Sequence, residues 1–270
     1  VFDGRLNERM ISVREFESAV RSVAGALVRH GVKRGDHVFL SLTTQPELIQ
    51  AFWTVLWLRA IPCALFPEHG AEALLARFQA GRADVLITDR ESGALDEAAA
   101  SYGALRMTLR YDSLAAETAG EPAAIPSDVT PDDPAFMVFT SGSTGFPKAV
   151  LHRHGIAPAI LRSMRDVLGV GLDETYWCTA HPAWITGSVY GILGPVLSGV
   201  TMIAYNGAFH AKRWLPLIET AGVTTLYTAP SALRGLMRMD DAFYQGFDLS
   251  KLRAVFSVGE PLSGEVYAWG

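Results

Sequence analysis

Apolar residues recur at helical spacing at Phe16, Val20, Val23, Ala24, Leu27 and Val28, after a Ser12/Glu15 pair with capping-box spacing and before Gly31. That pattern predicts a first helix. A turn at residues 33–36 leads into the apolar run 38–42, read as a strand, and a helix follows over about 47–59. Its apolar residues occupy more than one face, which predicts burial. Residues 62–66 and 85–88 read as further strands, separated by a helix over 71–82. In the second half, helices near 156–168, 186–197, 212–221 and after Pro230 alternate with strands at 175–179, 201–204, 224–228 and 252–257. Alternation of strand and helix predicts an α/β fold with largely parallel sheets sandwiched by helices. Between the two runs, residues 111–134 carry Pro122, Pro126, Pro131 and Pro134 among small and acidic residues, the signature of a surface connection.

One stretch complicates the pattern. No Asp, Glu, Lys or Arg occurs from Thr175 to Ala211, long enough to suggest a membrane span. Pro182, Gly187, Gly191, Gly194, Pro195 and Gly199 interrupt it, and Thr186, Ser188, Ser198 and Thr201 are spread through it. A buried helix followed by a buried strand fits better, so no membrane partner is expected. The net charge of −5 and the lack of a Lys/Arg cluster give no electrostatic footprint for nucleic acid or an anionic bilayer. With 49% hydrophobic residues the chain has ample material for a large core, as one sizeable domain or two packed lobes. Cys63 and Cys178 lie in apolar runs, which predicts buried free thiols in a reducing, cytoplasmic setting and no metal site.

The strongest chemical signal follows the apolar run 135–139: Thr140, Ser141, Gly142, Ser143, Thr144, Gly145, Phe146, Pro147, Lys148. Four hydroxyl side chains and two glycines in six positions offer convergent donors and close backbone approach, and the lysine adds positive charge. Polyphosphate is the guest this composition suits. The common nucleoside triphosphatase loop is excluded, because counting from Gly142 it requires glycine where Pro147 stands and a hydroxyl where Ala149 stands. A dinucleotide fingerprint, a nucleophile-elbow serine and a zinc-binding histidine pair on one helical turn are also absent from the sequence. His152 and His154 are too weak a pattern to carry a role.

Taken together, these motifs resemble those of the adenylate-forming enzymes, the superfamily of acyl-CoA synthetases, adenylation domains and luciferases, and the whole chain resembles part of their large N-terminal domain. Residues 177–187, 226–233 and 257–266 look most like AMP-forming acetyl-CoA synthetases and short-chain relatives. The resemblance implies that a carboxylate attacks the α-phosphorus of ATP to give an acyl-adenylate and pyrophosphate, and that CoA then displaces AMP. It assigns Thr140, Ser141, Gly142, Ser143, Thr144, Gly145 and Lys148 to the ATP phosphates, with Thr140 and Lys148 as catalytic groups. Gly259, Glu260 and Pro261 match the segment lining the adenine pocket. Trp184, Ile185, Thr186 and Gly187 match the segment beside the acyl group and the incoming pantetheine, and residues 227–230 a wall of the thiol tunnel. ATP, Mg2+ and CoA are implied, with the Mg2+ ligands expected beyond Gly270.

Some positions depart from the pattern. Acetyl-CoA synthetase relatives commonly carry aspartate where His181 stands, glycine where Ala183 stands and glycine where Ala149 stands. By the same resemblance, a first lobe is expected over about 36–164. A second is expected over about 12–34 plus 172–270, with the nucleotide between the two. The start at Val1 and the stop at Gly270 read as cut ends, with the C-terminal lid domain absent, so these 270 residues alone are expected to be inactive. The leading reading is an incomplete catalytic domain of an acyl-CoA synthetase for a small carboxylic acid. Two alternatives stand beside it: an adenylation domain loading a carrier protein, and a degenerate, non-catalytic nucleotide-binding protein.

Overall fold

A two-residue strand, β1 (Phe2–Asp3), pairs in parallel with a later strand at Tyr205–Asn206, and the long helix α1 (Val13–Arg29) follows. The structure, a computed structural model, describes residues 2–3, 9–43, 45–117, 123–124, 126–140 and 145–269. Ser12 caps α1 as its spacing predicts: Glu15 N–H donates to the Ser12 hydroxyl at 3.2 Å and Ser12 N–H to the Glu15 carboxylate at 2.7 Å. The chain divides into two compact units, one of residues 11–156 and one of residues 1–10 with 157–270.

The first unit is built on four parallel strands, β2 (His37–Ser41), β3 (Ile61–Ala64), β4 (Val85–Thr88) and β5 (Met107–Arg110), in spatial order β3-β2-β4-β5. Between them lie α2 (Gln45–Trp57), α3 (Ala71–Gly81) and α4 (Gly93–Tyr102). The chain steps from β2 to one neighbour and then crosses back over β2 to reach β4. Right-handed crossovers therefore place α2 on one face and α3 and α4 on the other. The packing agrees, with α1 against α2 and α3 against α4. Phe39, Phe78, Leu86, Leu95 and Met137 form one buried cluster, with Phe39 and Phe78 edge to face at 5.6 Å.

Two elements differ from the sequence reading. The connection expected over 111–134 begins with a short helix, α5 (Tyr111–Ala116). It is anchored because Tyr111 and Leu114, three apart, are both buried, and the Tyr111 hydroxyl donates to Gln50 Oε1 at 2.8 Å. Residues 12–34 were expected with the C-terminal lobe, whereas α1 belongs to the first unit. Its buried face of Val20, Val23, Ala24 and Leu27 packs on α2 and α5, and the boundary between units falls after Ile156. The unit closes with an antiparallel hairpin, β6 (Pro134–Thr140) and β7 (Lys148–Arg153), seated against β3 and α3.

The second unit repeats the topology. After α6 (Ala157–Arg162), β8 (Thr175–Cys178) leads through a π-helical stretch, Gly187–Leu193, and α7 (Gly194–Ser198) to the short strand β9 (Thr201–Met202). The partner of β1 is β10 (Tyr205–Asn206), and α8 (Ala211–Ala221), β11 (Thr225–Thr228), α9 (Pro230–Met237), α10 (Asp241–Tyr244), β12 (Ala254–Ser257) and α11 (Gly264–Trp269) complete it. The sheet is parallel in the order β12-β11-β8-β9, the same crossing-back pattern as in the first unit. One face carries Trp177 and Leu226 against Trp214, Leu217 and Ile218 of α8 and Leu233 and Leu236 of α9. The other carries Tyr176, Cys178 and Tyr227 toward the π-helical stretch, where the Tyr190 ring meets Tyr227 edge to face at 5.3 Å. The uncharged stretch holds the mostly buried β8 and a largely buried helical segment, but β9 after it is partly exposed, and no helix among the described residues is long and apolar enough to cross a membrane. Cys63 and Cys178 are buried free thiols, pushed up in pKa by that burial, Cys178 to about 12.

Candidate active site

In the first unit the candidate phosphate loop is the connection of the β6–β7 hairpin. Ala135, Phe136, Met137 and Val138 are buried, so β6 is fixed by the core up to Phe139, and Thr140 emerges exposed at its end. The antiparallel register sets Thr140 directly opposite Lys148. The ladder therefore sets these two residues side by side at the two ends of the loop. Gly145 takes φ +81°, a value that glycine adopts without strain, and Phe146 beside it is 74% exposed. Ser141, Gly142, Ser143 and Thr144 lie outside the described residues. His152 stacks flat on Phe136 at 4.6 Å, and burial lowers its pKa, so the packing accounts for it.

In the second unit the remaining candidates gather at the carboxyl ends of the parallel strands. The order β9-β8-β11 puts the reversal of strand order between β8 and β11, where an open α/β sheet offers its ligand crevice. Thr179 N–H donates to the Tyr227 carbonyl at 2.9 Å, and the Thr179 and Thr228 hydroxyls bond each other at 2.7 Å across this point. Sequence reasoning missed this threonine pair, because its members are far apart along the chain.

The segment after β8 makes a tight turn. Ala183 N–H donates to His181 Nδ1 at 3.0 Å, Trp184 N–H to the His181 carbonyl at 2.9 Å, and the Ser188 hydroxyl to the Pro182 carbonyl at 2.6 Å. Gly187 packs so closely beneath this turn that a Cβ there would lie 2.1 Å from the His181 carbonyl oxygen. Glycine is required by space, and it starts the π-helical stretch, a distortion often found at functional sites. The turn turns Trp184 and Ile185 outward, 56% and 42% exposed, with Thr186 half-buried between them and the buried Gly187. Trp184 is therefore no core residue: its side chain stands more than half exposed.

After β12 the chain turns at Gly259, which takes φ +92° and so favours glycine, and Gly259, Glu260 and Pro261 are all exposed. The Glu260 carboxylate pairs with Arg234 of α9 at 2.6 Å. That bond, with a second from the Ser231 hydroxyl, holds its pKa below the usual carboxylate range. Neither Ser231 nor Arg234 was singled out from the sequence. Their spacing of three on a helix that starts at Pro230 was the available signal.

Comparison with known proteins follows the same lines. The AMP-binding enzyme family matches residues 3–269. The chain is 32% identical to an acetyl-coenzyme A synthetase of Bacillus subtilis, over 99% of this chain and 49% of that protein. It is 33% identical to the acetyl-coenzyme A synthetase of Laribacter hongkongensis, over 96% of this chain and 44% of that one. Among solved structures, the crystal structure of Brucella canis acyl-CoA synthetase superposes with a TM-score of 0.89 at 27% identity, covering 98% of this chain and 50% of that one. The chain spans about half the length of these relatives. The match over nearly the whole chain shows that it belongs to the AMP-binding enzyme family.

Proposed function

We propose that these residues form part of the ATP- and acyl-binding site of an AMP-forming acyl-CoA synthetase acting on a small carboxylic acid. The observation that carries the reading is the register of the β6–β7 hairpin, which pairs Thr140 with Lys148 at the two ends of a Gly/Ser/Thr loop. In this reading Lys148 and the loop donors hold the β- and γ-phosphates while the substrate carboxylate attacks the α-phosphorus. Charge that shifts onto the departing pyrophosphate then meets fixed positive charge. The backbone turn at Gly259–Pro261 lines the adenine site, and Trp184, Ile185, Thr186 and Gly187 flank the acyl group and the CoA thiol that later displaces AMP.

The threonine pair Thr179–Thr228 ties β8 to β11 and keeps the crest of the sheet in one geometry. A divalent cation would supply charge neutralisation on the phosphates. The described residues include no group of three His, Cys, Asp or Glu side chains fit to hold one. Burial of both cysteines as free thiols supports a reducing, cytoplasmic setting.

Calorimetry with ATP and with AMP on the wild-type chain and Lys148→Ala tests the phosphate assignment. The lysine's role predicts a loss of ATP affinity of about tenfold or more, the range of hydrogen bonds to charged groups, with AMP affinity nearly unchanged. Equal losses for the two nucleotides would remove Lys148 from the phosphate site.

A further inference from the structure

Three residues after β12 have separate backbone properties. Gly259 at φ +92° is the freest kind of residue, Pro261 is stiff only about its own φ, and Glu260 between them has the side chain able to fix the turn. That side chain is turned to α9. Arg234 donates to its carboxylate at 2.6 Å, so a side chain of α9 grips the carboxylate.

Helix α9 is itself well anchored. It begins at Pro230, two residues after β11 ends, and Leu233 and Leu236 are buried in the core with Val266 of α11. Strands β11 and β12 are register partners up to Thr228 and Ser257. The tether thus links the turn leaving one strand to the helix leaving its neighbour, at the end where a parallel sheet offers its ligand crevice.

We propose that Arg234 is a positioning residue for the nucleotide. It holds Glu260 and so fixes the Gly259–Pro261 turn against which the adenine packs. The Glu260 carboxylate thereby serves as a tether to α9 rather than as a contact to the base. This rests on the nucleotide reading above and adds to it a residue outside the matched adenine segment.

The test has two readouts. Hydrogen–deuterium exchange without nucleotide is predicted to speed up at the amides of Gly259, Glu260 and Leu262 in Arg234→Ala and Glu260→Gln, with β11 unchanged. AMP affinity by calorimetry is predicted to fall on the order of threefold to fivefold in each variant, the scale of a solvent-accessible ion pair. Arg234→Lys is expected to retain more affinity than Arg234→Ala. The reversed pair, Arg234→Glu with Glu260→Arg, recovers most of it, and the loss narrows at high salt. Unchanged exchange at Gly259, Glu260 and Leu262 would overturn the tether. Faster exchange with unaltered AMP affinity, or no recovery in the reversed pair, would overturn its role in binding. Absence of AMP binding by the wild-type chain would overturn the nucleotide reading itself, and the positioning role with it.

Discussion

At position 181 this chain has histidine where acetyl-CoA synthetase-like motifs commonly carry aspartate, and the imidazole Nδ1 accepts the N–H of Ala183 at 3.0 Å. An aspartate accepts the N–H two residues on in the same way when it forms an Asx turn. The substitution therefore preserves a turn while exchanging an anion for an acceptor nitrogen. His181→Asp is predicted to melt close to the wild type. His181→Ala loses one bond of about 1 kcal/mol and should melt about 2–4 °C lower. Equal melting of all three would show that the bond contributes nothing. Gly187→Ala is the harsher change, since the new methyl would meet the His181 carbonyl; overpacking of this kind costs about 1–3 kcal/mol. A fall in melting temperature with altered exposure of Trp184, read by its fluorescence, is the expected result. A variant indistinguishable from wild type in both would contradict the close packing. Trp184 also shows where sequence reading stops. Its apolar neighbours suit a core position as well as a ligand contact, and only the turn imposed by Gly187 decides for exposure.

Among the elements, the parallel strands were legible because buried β-strands read as short continuous apolar runs between helical patterns. The hairpin strand β7 was not, because Lys148, Val150 and Leu151 are all exposed and break the alternation a half-buried strand shows. Strand β5 is only half-buried at the sheet edge and gave too weak a pattern, and the prolines around α5 masked its single anchored turn. The base of the second sheet holds a further device invisible in sequence. Glu174 bonds the hydroxyls of Thr224 and Thr225 and the Arg253 guanidinium, tying the start of β8 to β11 and β12. Burial alone would raise its pKa, but those bonds outweigh burial and leave it below the ordinary value. A carboxylate with a depressed folded pKa contributes stability above its unfolded pKa, which is lost as pH falls through the folded value. Glu174→Gln is therefore predicted to unfold more readily than wild type at neutral pH, with the gap closing once the pH falls well below about 4. Urea titrations at several pH values decide this. A gap that stays constant down to acid pH would place the effect outside the ionised carboxylate.

On the scale of the whole molecule, two units run the same strand order, and no sequence repeat announces it. The shared order follows from a rule of chain path, right-handed crossovers that step out and cross back, which many unrelated sequences satisfy. For the same reason fold class was readable from alternation, whereas the meeting of Thr179 with Thr228, or of Arg234 with Glu260, required the folded chain. The loop at 140–148 is the exception, because its chemistry is local and its composition alone is enough to propose polyphosphate as its guest. The most direct test of adenylate chemistry is carboxylate-dependent exchange of labelled pyrophosphate into ATP. It would be run on the natural protein that carries these 270 residues, across acids from acetate to benzoate and amino acids. Exchange that requires a small carboxylic acid and is abolished in Lys148→Ala is the predicted result. No exchange with any acid, in a protein shown to be folded, would contradict the account and leave a nucleotide-binding fold without the reaction.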